Sequence, residues 1–316
     1  MSRYDLTVIV PAYNAEKTID RCLNSIINQT HKNLKIVVVD DCSTDSTPGI
    51  LKNYKSKYKN IEIITNEKNM ELGCTRNIAL KYVTTEYVTF VDSDDWVDLD
   101  AYQRCINRIR ETDADLAIFG IRNEYENKML SQIRYCYIDN YITGELALNL
   151  LCNTFAMDMA ISPIVNNKIY STSLLMKNDI NFGEYPFYED MPFSYNILKR
   201  AQKVALVDRV FYHYYQNPTS KTHVITNTQI NYFCFSMQQL YNSVDLSDNK
   251  ETMLYYSFLD KSVSALVGRI DEFVLDSQDK KTFVVQLIKG LKEFVNLSEL
   301  LNYIDARRII AAIRGI

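Results

Sequence analysis

Residues 87–95 read Tyr-Val-Thr-Phe-Val-Asp-Ser-Asp-Asp, a short apolar run followed at once by three carboxylates within four residues. The run has the length and composition of a buried β-strand. The carboxylates repel one another unless a cation or hydrogen bonds offset their charge. A hard divalent ion that also binds diphosphate oxygens fits such a cluster. On this stretch alone, a solvated loop with Asp95 or Asp98 capping the next helix is the favoured alternative.

Strands alternate with helices on both sides of this stretch. Leu6 to Val10 predicts a first strand, and apolar residues at helical spacing from Ile19 to Ile27 predict a helix with Asn14 as its N-cap. The other predicted elements are strands at 36–40, 61–65, 87–91 and 116–119, a helix that begins at Thr47-Pro48 and a helix over 73–83. This alternation predicts an α/β fold with a mostly parallel sheet flanked by helices.

Polar clusters follow three of the predicted strands. They are Pro11 to Asn14, Asp40 to Asp45 and Asp92 to Asp95. Ligand sites of open parallel sheets lie at the carboxyl ends of the strands, so we expect these three segments to converge on one site.

The character of the sequence changes near residue 226, after which helical periodicity continues without strands. We therefore predict two domains, an α/β domain over 1–225 that carries the polar clusters and a helical domain over 226–316. Packing and homo-oligomerisation are the expected roles of the helices, ahead of ligand binding.

Composition narrows the classes of function. The chain has 316 residues, a formal charge of −4 and no block of basic residues, which argues against nucleic acid as the main partner. Seven cysteines, an odd number without a C-x-x-C pair, indicate a reducing compartment. The first apolar run is too short for a signal peptide or a transmembrane segment. We expect a cytoplasmic protein, either free or peripheral at the inner face of the membrane.

Three motifs resemble, in type and in order along the chain, those of family 2 of the inverting nucleotide-sugar glycosyltransferases. They are Val8–Asn14, Val38–Asp45 and Phe90–Asp95. The resemblance covers roughly the first two-thirds of the chain, and each motif is weak alone. It continues through Gly73–Asn77, Asn167–Tyr170, Tyr188–Asp190 and Tyr212–Tyr215.

The resemblance implies a GT-A fold (Rossmann-like, with a mostly parallel mixed sheet) and a set of donor-binding residues. A tyrosine ring packs well on a nucleobase, a carboxylate accepts a base N–H, and an arginine offsets diphosphate charge. Core packing is the alternative for Tyr13, and surface ion pairing is the alternative for Arg76. The implied donor-binding residues are Pro11, Ala12, Tyr13, Asn14, Glu16, Asp41, Arg76, Asp92 and Ser93.

The resemblance also implies a metal and a catalytic base. Asp94 and Asp92 match the family's D-x-D motif for Mn²⁺ or Mg²⁺, and His213 is a further candidate metal ligand, against a role as a packed core histidine. Inversion in one displacement needs a base opposite the leaving diphosphate. Asp190 matches the usual base, with Glu189 orienting it or contacting a hydroxyl. Asp190 could also cap the helix that begins near Pro192.

The implied activity is metal-dependent, inverting transfer of a sugar from a nucleotide donor, most plausibly UDP-linked, to a glycan or glycoprotein acceptor, as in surface polysaccharide or glycoprotein glycan synthesis. We expect residues 124–162 to bind the acceptor. A sugar nucleotidyltransferase is an alternative, but Pro11 to Asn14 is not a glycine-rich phosphate loop. A non-catalytic sugar-binding or scaffold subunit is another, against which the retained acidic motifs argue.

Overall fold

The computed structural model describes residues 4–125, 128–133, 140–152, 161–216 and 224–295. Parts of the predicted acceptor region, residues 126–127, 134–139 and 153–160, lie outside these ranges. Within them, ten strands form one sheet. The strands are β1 Leu6–Ala12, β2 Leu34–Asp40, β3 Ile61–Thr65, β4 Tyr87–Phe90, β5 Trp96–Val97, β6 Leu116–Tyr125, β7 Lys128–Ile133, β8 Tyr141–Thr143, β9 Lys168–Ser171 and β10 Lys203–Tyr215.

The helices of the described chain connect and cover these strands. They are α1 Ile19–Ile27, α2 Thr47–Lys57, α3 Glu71–Leu80, α4 Ala101–Thr112, α5 Gly144–Cys152, α6 Thr172–Lys177, α7 Asp190–Arg200, α8 Asn227–Tyr241, α9 Asn249–Phe273 and α10 Ser277–Leu291.

The sheet is mixed, in the order β3-β2-β1-β4-β9-β6-β10-β5, with β7 paired to β6 and β8 paired to β10. The first four of these strands run parallel to one another, and β9 is antiparallel to both β4 and β6. Every residue of β1 is buried, which explains why all of them except Thr7 are apolar. The predicted α/β architecture is confirmed, with one group of parallel strands, β3-β2-β1-β4, and a second parallel pair, β6 and β10, on the other side of β9.

Two predicted helix starts are wrong. Helix α1 begins at Ile19, after Thr18, so Asn14 is not its N-cap. Asn14 instead adopts a left-handed φ of 49°, and its Oδ1 accepts a hydrogen bond from the Thr44 amide at 2.8 Å. Such an amide side chain tolerates this conformation and bonds a neighbouring loop in place of a helix. The residue before α4 is Asp100, so neither Asp95 nor Asp98 is the N-cap of this helix.

The C-terminal helices form as predicted and pack on the α/β part of the chain. Helix α8 begins with a capping box between Thr226 and Gln229. Helix α8 contacts α7 and α10, and α9 contacts α5. The separate domain over 226–316 stays a prediction, and residues 296–316 lie outside the described ranges. In the part of the chain that the structure describes, no helix is long and apolar enough to cross a membrane.

Candidate active site

The ends of β1, β2 and β4 carry the predicted polar clusters, and the structure joins these clusters by hydrogen bonds. The Asp41 amide donates to the Ala12 carbonyl at 2.8 Å, and the Asn14 amide donates to Ser43 Oγ at 2.9 Å. Arg21, on α1, donates to the Asp94 carbonyl at 2.6 Å. Three sequence-distant segments therefore meet at one rim of the sheet.

Two acidic residues of the predicted donor pocket fix its loops. Asp41 is buried, and its Oδ1 accepts from the Met70 amide and from Asn66 Nδ2, each at 2.8 Å. Glu16 Oε2 accepts from the Ser46 amide at 3.0 Å. Both carboxylates thus hold the loops of the predicted donor site in place by accepting backbone hydrogen bonds.

Tyr13, Pro11 and Ala12 lie beside these loops. Tyr13 is 45% exposed, which excludes the core-packing alternative and leaves its ring accessible for stacking. Pro11 and Ala12 are buried in the end of β1, where the Ala12 carbonyl accepts the hydrogen bond from the Asp41 amide. Ser93 is half-buried in the loop after β4.

Arg76, on α3, lies at the centre of the acidic site. Its Nη2 is 2.9 Å from Asp92 Oδ1 and its Nη1 is 2.8 Å from Glu189 Oε1, while the guanidinium carbon lies 5.2 Å from the centre of the Phe182 ring. Burial opposes the charge of Arg76, but the two carboxylates outweigh that cost and raise its pKa above the ordinary value. Arg76 is 3% exposed, so the surface-pairing alternative is wrong.

Asp92 is held by residues that the sequence did not single out as site residues. Its second oxygen, Oδ2, accepts from Asn166 Nδ2 at 2.7 Å, and Asn166 also donates to the Tyr212 hydroxyl at 2.9 Å. Tyr212 in turn donates to Asp95 Oδ2 at 2.5 Å. Both residues flank or lie in the segments that carry the family resemblance, which is the signal that could have found them.

Asp95 is a structural residue of this network. It is fully buried, and its Oδ1 accepts from the Tyr215 amide at 2.7 Å. Burial, together with the charges of Asp94 and Asp92, raises its pKa well above the ordinary value. Its two oxygens therefore join the loop after β4 to strand β10.

Asp94 differs from Asp92 in that none of the ion pairs in the described ranges involves it, whereas Asp92 pairs with Arg76. Burial and the charge of Asp92 raise the pKa of Asp94 to about 6. The described residues contain no group of three His, Cys, Asp or Glu side chains that could hold a metal unaided. One or two carboxylates with substrate phosphates are nevertheless the usual setting for Mg²⁺, and the half-buried Asp94, beside the charge of Asp92, fits that setting.

The imidazole of His213, the third candidate metal ligand, is engaged on both sides. Nδ1 lies 2.7 Å from Glu124 Oε1 and Nε2 lies 2.9 Å from Asp98 Oδ1. Its ring stacks on Trp96 at 5.0 Å. Metal binding by His213 would require breaking one of these two carboxylate contacts.

Glu189 and Asp190 lie where the chain enters α7. Burial, opposed by Arg76, raises the pKa of each carboxyl above its ordinary value. Asp190 is the first residue of α7, with no side-chain cap in the structure, so the capping alternative is not realised. Lys168 is buried in the same region, and burial lowers its pKa to about 7, against the opposing effect of Asp190. The raised pKa values of Glu189 and Asp190 suit a general base, which works best when its pKa lies near the operating pH.

A close approach between chain segments holds this pair in place. Asn77 and Phe182 exchange two hydrogen bonds of 2.9 Å, which fix the segment before the pair against α3. A Cβ atom on Gly73 would lie 2.3 Å from the Gly183 carbonyl oxygen and 3.2 Å from Glu189 Cγ. Glycine is therefore required at position 73 by contact with this segment.

A mixed α/β sheet flanked by helices, with acidic residues after β2 and β4 and a carboxyl pair at the start of α7, is the arrangement that defines the class of GT-A glycosyltransferases. The model of the family "Glycosyl transferase family 2" matches residues 7–180, more than half of the chain, and the chain belongs to this family. The class predicted from the sequence is confirmed.

Relatives with assigned names agree with this membership. The poly(ribitol-phosphate) beta-glucosyltransferase of Bacillus spizizenii is 28% identical over 253 residues, which cover 78% of this chain and 38% of that protein. The poly(ribitol-phosphate) beta-N-acetylglucosaminyltransferase TarS of Staphylococcus aureus is 32% identical over 212 residues, which cover 66% of this chain and 35% of that protein. The chain thus matches less than half the length of both relatives.

A solved structure confirms the fold. The crystal structure of S. aureus TarS 1–349 in complex with UDP-GlcNAc aligns with a TM-score of 0.76 at 24% identity, over 98% of this chain and 87% of that one. The alignment extends through the C-terminal helices, so the GT-A fold with its helical appendage is shared.

Proposed function

We propose that this chain transfers a sugar from a UDP-linked donor to a hydroxyl group of a cell-surface glycopolymer, with inversion at the anomeric carbon. The observation that carries the proposal is the bridge that Arg76 makes between Asp92 and Glu189. It brings the loop expected to meet the donor diphosphate next to the carboxyl pair expected to meet the acceptor.

The proposed donor pocket uses the loops at the ends of β1 and β2. Tyr13 stacks on the base, while Asp41 faces the base or ribose. Glu16, Asn14 and Ser93 complete the pocket. The support for a UDP-sugar is the exposure of the Tyr13 ring, the buried Asp41 carboxylate, and the UDP-GlcNAc named with the TarS structure.

In the proposed reaction, the acceptor oxygen forms a bond to the anomeric carbon as the bond from that carbon to the diphosphate oxygen breaks. Asp190 takes the proton of the acceptor hydroxyl, and Glu189, fixed by Arg76, orients the pair. Asp94 would hold Mn²⁺ or Mg²⁺ together with the donor phosphates, and that ion supplies charge that stabilises the departing diphosphate. Displacement from the opposite face gives inversion.

The proposed acceptor class follows from the relatives, two of which are named for transfer to poly(ribitol-phosphate). We extend this to a polyol-phosphate or related surface polymer. Glycoprotein acceptors are the alternative, and they are distinguished by the same assay.

The test is a thermal-shift and UDP-release screen of UDP-GlcNAc and UDP-glucose with Mn²⁺ or Mg²⁺, with and without poly(ribitol-phosphate). A bound donor raises the unfolding temperature by mass action. We expect Asp94→Asn to lose the metal-dependent part of the shift and Asp190→Asn to keep the shift while losing transfer. The exposed-site control, Asp271→Asn, should match the wild type. No shift with either UDP-sugar, or full transfer by Asp190→Asn, would contradict the proposal.

A further inference from the structure

Tyr188 immediately precedes the carboxyl pair and has an unusual backbone. Its φ is 64°, in the left-handed region that is unfavourable for a bulky side chain. Such a conformation persists only where the surroundings hold it, and it occurs often at functional sites. Because Tyr188 adjoins Glu189, a rotation about its φ would carry Glu189 and Asp190 away from their present positions.

The surroundings of Tyr188 come from the C-terminal helices. Ser236 of α8, itself fully buried, donates to the Tyr188 carbonyl at 2.8 Å. Arg269 of α9 donates to the Tyr188 hydroxyl at 3.2 Å. The ring of Phe233 meets the Tyr188 ring edge-on, with centroids 5.3 Å apart. Carbonyl, hydroxyl and ring are thus each fixed by a residue beyond position 226.

The segment before Tyr188 is held by the same face of α8. Tyr185 stacks on Tyr232 at 6.4 Å and meets Phe235 edge-on at 5.3 Å. Aromatic contacts of this kind add directional energy to simple burial. Residues 185–188 therefore lie against α8 along most of their length.

We infer that α8 and α9 position the catalytic carboxyl pair, and that Tyr188, Ser236 and Arg269 are the positioning residues. This inference rests on the proposed function, since it gives the pair its catalytic role. It assigns the helical appendage a part in turnover beyond packing or oligomerisation. Arg76 holds the Glu189 side chain, and the contacts of Tyr188 with α8 and α9 hold the backbone that precedes it.

The variants Tyr188→Phe and Ser236→Ala each remove one hydroxyl and keep the surrounding shape. We expect each to lower kcat about tenfold, since small misplacements of a catalytic group are costly, while the Kd for UDP changes less than about twofold. Amide hydrogen exchange over residues 184–190 should become faster. Matched controls are Tyr255→Phe and Ser243→Ala, whose hydroxyls bond the Met237 and Leu240 carbonyls within the helical region. The controls should keep the wild-type kcat.

The double variant Tyr188→Phe with Asp190→Asn separates positioning from general stability. If Tyr188 acts through Asp190, its substitution should not reduce the residual rate of Asp190→Asn further. Wild-type kcat and exchange in both single variants would overturn the inference, as would a loss of UDP affinity equal to the loss of kcat. Full transfer by Asp190→Asn alone would overturn the proposed function, and this role with it. Inactivity of Asp190→Asn beside fully active Tyr188→Phe and Ser236→Ala would overturn only the positioning role.

Discussion

Arg76 and Glu189, 113 positions apart in the chain, form a buried ion pair in which Nη1 lies 2.8 Å from Oε1. The same guanidinium bonds Asp92 through Nη2. The planar fork of arginine serves two carboxylates at fixed angles, which the single ammonium of a lysine does not reproduce. One residue of α3 thus sets the distance between the two acidic motifs.

Replacing Arg76 with Met should destabilise the protein strongly, because it leaves the buried Glu189 carboxylate and the partly buried Asp92 carboxylate without their cation. The expected loss in the free energy of unfolding is about 3–5 kcal/mol, measured by urea denaturation at pH 7. The control is Arg104→Met, which breaks the exposed pair with Asp100 and should cost less than about 1 kcal/mol. Equal losses in the two variants would contradict a central role for the buried bridge.

Asp190→Asn should lose transfer activity and gain stability above pH 6. Removing a general base lowers the transfer rate by about 10²–10⁴-fold. Burial raises the pKa of Asp190 to about 6, above its value in the unfolded chain, so its charged form is disfavoured by folding. Stability from this group is present at low pH and is lost as the pH rises through about 6. The neutral amide should therefore stabilise the fold by about 1–3 kcal/mol at pH 8 and by little near pH 4.

Thermal unfolding of Asp190→Asn at these two pH values measures the effect, with Asp271→Asn as an exposed control. A destabilised Asp190→Asn at pH 8 would show that the carboxylate is compensated in the folded protein, and the proposed desolvation would then be wrong.

The pH dependence of transfer should show an acid limb near neutrality. A base works only when deprotonated, and the raised pKa of Asp190 places the loss of kcat/KM on lowering the pH through about 6. Glu189 titrates close by, so the limb belongs to the pair. In Glu189→Gln, Arg76 keeps its ion pair with Asp92 but no longer faces the Glu189 charge, so its effect on Asp190 should move the limb to lower pH. A rate that stays constant from pH 7.5 to pH 4.5, with the enzyme folded throughout, would exclude a carboxyl base at this site.

Gly73→Ala should displace the carboxyl pair, Glu189 and Asp190. The new methyl group meets the Gly183 carbonyl oxygen, a backbone atom with little freedom to retreat. We expect a loss of about 1–3 kcal/mol in unfolding free energy, together with a lower kcat. Gly49→Ala, in the helix α2 with open space around the glycine, should instead be neutral or stabilising by up to about 1 kcal/mol. Chemical denaturation of both variants provides the comparison, and a harmless Gly73→Ala would refute the close approach.

The hydrophobic pattern of the sequence was sufficient to predict strands β1 to β4. Strands β1, β2 and β4 are short and mainly apolar because they are buried, and α1 is amphipathic because one of its faces is buried. The motif residues lie at strand ends for the same reason, since topology places strand ends together. Asn14 misled the prediction because its side chain serves a loop bond as readily as a helix cap.

Other features depend on contacts between distant segments. Asn166 and Tyr212 hold Asp92 and Asp95 across the sheet, and neither carries a local pattern that marks it as a partner. The left-handed backbone of Tyr188 contradicts the preference of its own side chain and depends on α8 and α9. Such conflicts between local preference and final structure are expected at functional sites.

The sequence by itself determined strands β1 to β4 and helices α1 to α3, the helical character of the chain beyond residue 226, the positions of the acidic motifs and membership of family 2, because periodicity and motif spacing are local properties of the chain. Only the tertiary structure decided that Arg76 joins the two acidic motifs, that both nitrogens of His213 are engaged, and that the C-terminal helices contact the segment before Asp190. The physical reason is that charge state and backbone conformation at the site depend on burial and long-range partners, which exist only once the whole chain has packed.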